Sequence, residues 1–66
     1  MGFAKNLTNL QAEHGETNYR LAKEIDVTQT SVKSWNTGER LPHPKTRKKI
    51  AEHYGITVEE LMREDE

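Results

Sequence analysis

Apolar residues recur along this chain at intervals of three and four positions, which is the spacing of one face of a helix. Phe3, Leu7 and Leu10 follow that spacing and predict a first helix that ends near His14. Four later segments repeat it, with apolar positions at Leu21, Ala22 and Ile25, at Val32 and Trp35, at Ile50, Ala51 and Tyr54, and at Leu61 and Met62. No segment alternates as a strand would, so the pattern predicts an all-α fold of five short helices.

Polar residues and glycines mark where these helices begin and end. Thr17, Thr28 and Thr57 each precede an apolar stripe and can cap a helix by accepting a hydrogen bond from its first turn. Gly38 and Gly55 follow the third and fourth stripes and suit the left-handed conformation that stops a helix. Further signals are Asp26 after the second helix, Pro44 in the first turn of the fourth, and Glu60 as partner of Thr57 in a capping box.

Charge is spread unevenly along the 66 residues. The formal net charge is −1, yet residues 33–49 hold six basic side chains against one acidic, and residues 50–66 hold six acidic against one basic. A local cationic patch is the electrostatic footprint that binding to a polyanion requires.

The chain has no cysteine, which excludes disulfides and zinc–thiolate sites. It also has no apolar run of about 18 residues and no apolar leader, which predicts a cytoplasmic protein without a membrane span.

The third helix is the most informative element, because its outer face carries short polar groups. On a helical wheel Val32 and Trp35 fall on one side, and the opposite side holds Gln29, Thr30, Lys33, Ser34 and Thr37. Glutamine can bond an adenine edge with two hydrogen bonds, threonine and serine can bond several base edges, and lysine can reach a guanine or a phosphate. A solvated surface is the alternative reading. A solvated helix face usually carries several charged side chains, but this face has no glutamate and only one lysine. The pattern therefore favours contacts with DNA bases.

The ordered set of residues resembles the lambda-repressor-like helix-turn-helix family, which includes phage Cro proteins, CI repressor DNA-binding domains and XRE-type relatives. The resemblance is carried by Thr17, Asn18, Leu21, Ala22, Val27, Thr28, Val32, Trp35, Gly38, Pro42, Ile50, Ala51, Ile56, Thr57, Leu61 and Met62. It implies a helix-turn-helix at helices two and three, within a single domain over residues 1–63 and followed by an acidic frayed tail at 64–66. A chain this short is most similar to a small temperate-phage Cro-like or antirepressor protein.

The same resemblance implies roles for individual residues. Gln29, Thr30 and Ser34 occupy base-reading positions, and Asn18 at the start of the second helix takes a phosphate-contacting place. Thr37 and Arg40 lie where contacts with the DNA backbone are common. The full set of DNA-binding residues predicted here is Asn18, Thr28, Gln29, Thr30, Ser31, Lys33, Ser34, Thr37, Arg40 and Lys45.

Three departures from the family's pattern carry structural expectations. Asp26 stands at the usual turn glycine, and aspartate tolerates left-handed geometry better than most residues. Gln11 and Asn36 stand where the family often pairs arginine with glutamate, so any pair between them would be a neutral hydrogen bond. Arg47 stands at a usually apolar position, where its stem can cover the core while its head stays in water.

Other polar groups give weaker indications. Lys45, Arg47, Lys48 and Lys49 crowd the first turns of the fourth helix, where they form either a phosphate-binding patch or a solubilising surface. The three histidines lack the spacing of metal ligands. No serine, threonine or histidine has partners suited to catalysis, so neither a cofactor nor an enzymatic activity is expected.

Three functions are compared on these observations. The leading one is a phage Cro-like repressor that inserts the third helix into the major groove of an operator in double-stranded DNA. The alternative is an antirepressor that docks onto a larger phage repressor, and an antitoxin-like module ranks third. Ile56, Val58 and Met62 offer apolar area for a partner, but the acidic residues around them would repel a second copy. The sequence therefore predicts at most a weak homodimer on DNA.

Overall fold

The computed structural model describes residues 2–63, and five helices account for most of them. The helices are α1 (Gly2–Glu13), α2 (Asn18–Glu24), α3 (Gln29–Thr37), α4 (Pro44–Tyr54) and α5 (Val58–Met62). No strand occurs within these described residues, which confirms the all-α prediction. The predicted acidic tail at 64–66 lies outside the described residues. None of the helices between residues 2 and 63 has the length and apolarity needed to cross a membrane.

Threonine side chains cap three of the helices. Thr17, Thr28 and Thr57 accept hydrogen bonds from the backbone three residues on, at 3.1, 3.1 and 3.0 Å. At α5 the Thr57 backbone N–H also donates to the Glu60 carboxylate at 3.0 Å, which completes a capping box. Because each cap satisfies a backbone donor that would otherwise lack a partner, it fixes the residue at which its helix begins.

Left-handed residues end the helices and turn the chain. Gly38 and Gly55 adopt φ values of 82° and 70° at the ends of α3 and α4. Asp26 has a φ of 61° in the turn between α2 and α3, and it is the single non-glycine residue with positive φ among those described. The expectation that Asp26 replaces a turn glycine is thus confirmed. The tight turn sets α3 across α2, which is the helix-turn-helix arrangement.

Every helix contributes to one core. The side chains most completely buried are Leu7, Leu21, Val32, Ile50 and Leu61, one from each helix. Beside them Trp35 of α3 meets Phe3 of α1 edge to face, with ring centroids 6.5 Å apart. The inner side of α3 is therefore committed to the core, and its outer side is left to solvent.

Two expectations about side chains at the edge of the core are wrong. The Arg47 head does not simply stay in water, because its Nε donates to the Pro42 carbonyl at 3.0 Å and holds the loop before α4. Ile56 and Met62 are not surplus apolar groups, because both are half-buried and pack against the core. Of the apolar surface predicted for a partner, Val58 is left exposed, at 37%.

Candidate nucleic-acid interface

The outer face of α3 carries the predicted reading residues. Gln29, Thr30, Lys33 and Thr37 are exposed, and Ser34 is half-buried. The opposite positions, Val32 and Trp35, are buried. The wheel assigned to α3 from the sequence is therefore confirmed.

Some hydroxyl groups on this face already have partners within the protein. The Thr28 hydroxyl accepts from the Ser31 backbone N–H and donates to the Ser31 hydroxyl at 2.9 Å. The Ser31 hydroxyl accepts that bond, so its own hydrogen is available to an outside acceptor. The Thr37 hydroxyl donates to the Ser34 carbonyl at 3.0 Å. Thr28 and Thr37 thus shape the ends of α3, while Ser31 keeps a hydrogen to donate.

A groove runs beside α3, between its outer side and the loop that leads into α4. Thr30, Ser31, Ser34 and Arg40 line it, so the structure brings these four predicted residues together. Sequence reasoning did not single out three other lining residues, Leu41, His43 and Thr46, of which Leu41 is 59% exposed. The loop residues before α4 lacked any helical periodicity, and their position beside α3 follows from the fold alone.

The basic residues of α3, of α4 and of the loop between them have different surroundings. Arg40 lines the groove, and Lys33 on α3 and Lys45 in the first turn of α4 are exposed. Lys49, in contrast, lines a hollow with the carboxylates of Glu24, Asp26 and Glu52, together with Ile25 and His53. Because nearby carboxylates oppose the approach of a phosphate, Lys49 is poorly suited to hold one. Arg40 and Lys45 remain the better candidates.

Asn18 occupies the first turn of α2 and is half-buried. Its Oδ1 accepts hydrogen bonds from Gln11 of α1 and Asn36 of α3, both at 2.9 Å. Gln11 and Asn36 therefore make neutral hydrogen bonds, as expected of these residue types, but both donate to Asn18 and not to each other. Each of the two polar residues that replace the family's charged pair is satisfied through this shared acceptor.

A buried carboxylate joins the α1–α2 turn to α4, which no sequence signal indicated. Glu16 accepts hydrogen bonds from the Tyr54 hydroxyl and from Nε2 of His53, the latter at 2.8 Å. Burial alone would raise the pKa of Glu16, but the two hydrogen bonds and the charge of neighbouring histidines outweigh burial and lower it. Burial and the Glu16 carboxylate raise the pKa of Tyr54. The cluster is best explained as a clamp that stabilises the fold.

Comparison with known proteins places this arrangement in a family. Residues 10–61 match the helix-turn-helix family, and the chain belongs to that family. It is 27% identical over all 66 residues to the HTH-type transcriptional activator BcrR of Enterococcus faecalis, but spans only 32% of that protein. A crystal structure of a transcriptional regulator from Listeria innocua superimposes with a TM-score of 0.88 at 29% identity, covering 97% of this chain and 61% of that one.

The family and the relatives settle the coarser expectations. The predicted helix-turn-helix class is confirmed by the family match and by the structural likeness. Both relatives are named as regulators of transcription. The chain spans less than two thirds of each of them.

Proposed function

We propose that this chain is a sequence-specific DNA-binding regulator of transcription, which inserts α3 into the major groove of an operator. The observation that carries the proposal is the exposed outer face of α3, rich in amide and hydroxyl groups, on a helix whose other face is buried. A helix of this width fits the major groove, where base edges offer distinct patterns of donors and acceptors. The regulatory names of the two relatives support the same function.

The residues divide into two roles in this proposal. Gln29, Thr30 and Ser34 meet base edges, and Lys33 reaches a guanine or a phosphate. The groups that hold the DNA backbone are Asn18, Ser31, Arg40 and Lys45, with Thr28 and Thr37 shaping the two ends of the reading helix. Contacts with phosphates fix the register of the protein, while contacts with bases select the sequence.

The effect on transcription is the finer part of the proposal. In the Cro-like mode the bound chain occupies an operator in a bacterial cytoplasm and blocks access of the polymerase. The alternative mode, docking onto a larger phage repressor, draws support from the exposed carboxylates Glu59 and Glu60 on α5, which would attract a basic surface. The polar face of α3 favours the first mode, because docking through α5 would make no use of it.

Selection of bound duplexes from random DNA tests the proposal. We expect an enriched motif, and binding to that motif at least about tenfold tighter than to a scrambled duplex of equal length, with the affinity falling as salt rises. Failure to enrich any motif, together with the absence of salt-dependent binding, would contradict the proposal. Co-purification with a larger repressor in place of DNA binding would favour the antirepressor.

A further inference from the structure

A chain of side-chain hydrogen bonds connects α1, α2 and α3 behind the reading face. The Thr8 hydroxyl donates to Oδ1 of Asn36 at 2.8 Å. Nδ2 of Asn36 donates to the Val32 carbonyl at 3.0 Å and to Oδ1 of Asn18 at 2.9 Å. Nε2 of Gln11 donates to the same Asn18 oxygen at 2.9 Å. The amide of Asn18 is thus the end point of contacts from the two neighbouring helices.

The chemistry of these partners fixes which way each amide faces. A backbone carbonyl can only accept, so the Asn36 atom that faces Val32 must be the nitrogen. An amide nitrogen has two hydrogens, and the second is donated to Asn18. The Asn18 atom that receives it must therefore be the oxygen, and the bond from Gln11 occupies the other lone pair of that oxygen.

This orientation leaves one group of Asn18 for an outside partner. With Oδ1 occupied by two donors, Nδ2 carries hydrogens for which residues 2–63 supply no acceptor. The residue is half-buried, and no buried polar side-chain atom among the described residues lacks a partner, so Nδ2 reaches the surface as a donor of fixed direction. A phosphate oxygen in DNA can only accept, and an amide held with its oxygen outward could not bind it.

We propose that Asn36, assisted by Gln11, is a positioning residue that holds Asn18 as a hydrogen-bond donor to a DNA phosphate. The inference rests on the proposed function, since it assumes that the chain binds DNA. Asn36 belongs to α3, so the same hydrogen bond ties the phosphate-binding amide to the helix that reads the bases. The network of neutral hydrogen bonds therefore orients the Asn18 amide and also holds α1 to α3.

A double-mutant cycle on the selected duplex tests the positioning role. Asn18→Ala should weaken binding by about tenfold, the value of one hydrogen bond to a charged group. Asn36→Leu should weaken it several-fold in the parent, because the Asn18 amide then loses one of its two fixed donors and can turn. In the Asn18→Ala background the same Asn36→Leu change should cost nothing further. An equal loss in both backgrounds would show that Asn36 acts only on the fold.

A second variant separates orientation from stability. Asn18→Asp keeps an oxygen for the bonds from Gln11 and Asn36, but its outward atom is then a charged acceptor. We expect a melting temperature close to that of the parent, and DNA binding weaker than that of Asn18→Ala. Asn9→Asp on α1, an exposed residue outside the network, is the control for added charge and should weaken binding far less.

The outcomes distinguish this inference from the proposed function. If the parent binds no duplex in a salt-dependent way, the proposed function fails. If the parent binds its selected duplex but Asn18→Asp binds as tightly as the parent, the function stands and the inference is wrong.

Discussion

Arg40 and Lys45 are exposed basic residues to which the proposed function assigns contacts with the DNA backbone. Arg40 follows α3, and its backbone N–H donates to the Ser34 carbonyl at 3.4 Å, which keeps the loop close to the reading helix. Lys45 lies in the first turn of α4. Lys49, on the same helix as Lys45, shares a hollow with three carboxylates and makes a natural control.

Each contact with a DNA phosphate releases a counterion from the DNA when the protein binds. A variant that lacks one contact should therefore release one counterion fewer. Arg40→Ala and Lys45→Ala should therefore weaken binding to every sequence and reduce the slope of log affinity against log salt by about 0.9 each. Lys49→Ala should leave the slope unchanged. Fluorescence anisotropy at four or five salt concentrations measures all three. A slope that stays constant in the first two variants would mean that these residues are only surface charge.

Glu16 should make the stability of the fold depend on pH in the acid range. Its pKa is lowered below the ordinary 4.5 in the folded protein, so its contribution is fully present above that value. The contribution is lost as pH falls through the lower, folded-state pKa. Chemical denaturation between pH 7 and pH 2 should show the parent losing stability below about pH 4.5, and Glu16→Gln lacking that part of the loss. Identical pH profiles would contradict the clamp.

Trp35 is the residue through which α3 is held by the rest of the molecule. Only 5% of its surface is exposed to solvent, and its ring packs edge to face on Phe3 of α1. Trp35→Ala should therefore destabilise the fold by about 3–5 kcal/mol, which is comparable with the whole stability of a domain this small. Trp35→Phe keeps an aromatic ring and should cost less. A thermal melt of Trp35→Ala that stays cooperative and close to the parent would overturn the packing described for α3.

Local signals were enough to predict the elements. Thr17, Thr28 and Thr57 act within one turn of their own helices, and Asp26 and Gly38 depend on backbone conformation at a single residue, so the sequence contains what is needed. Apolar periodicity likewise identified the buried face of α3. The predicted DNA contacts depend on a partner that the chain alone does not include.

Contacts between distant segments could not be read in the same way. Glu16 and Tyr54 are 38 residues apart, and their hydrogen bond exists because the fold brings the α1–α2 turn against α4. The residue types of Gln11 and Asn36 indicated that any pairing would be neutral, but not that the half-buried Asn18 lies between them and accepts from both. Even over five residues, the hydrogen bond from Arg47 to the Pro42 carbonyl depends on how the irregular loop before α4 folds. Such contacts follow from packing rather than from spacing.

The dimensions of the whole molecule limit how much DNA one copy can read. Its described part measures 30 × 24 × 23 Å, against about 34 Å for one turn of DNA. In the proposed function a single copy therefore covers one half-site. Helix-turn-helix proteins usually gain specificity by placing two copies on half-sites about one turn apart.

Self-association in the absence of DNA should be weak. On α5 the half-buried Met62 is engaged with the core, and the exposed Val58 is flanked by the carboxylates of Glu59 and Glu60. We expect sedimentation equilibrium to give a monomer at micromolar concentration, and a second copy to bind only on a duplex with two half-sites. A stable dimer of the free protein would contradict the repulsion argument.

The most direct test of the account is the sequence preference of Gln29→Ala. Gln29 is exposed in the first turn of α3, where its amide can donate to and accept from one base pair. Affinities of the parent and the variant should be measured on the selected duplex, on each single base-pair change of it, and on scrambled DNA. We expect a loss of about 1–3 kcal/mol on the selected duplex, discrimination lost at one base pair, and little change on scrambled DNA. An equal loss on selected and scrambled DNA would contradict this expectation.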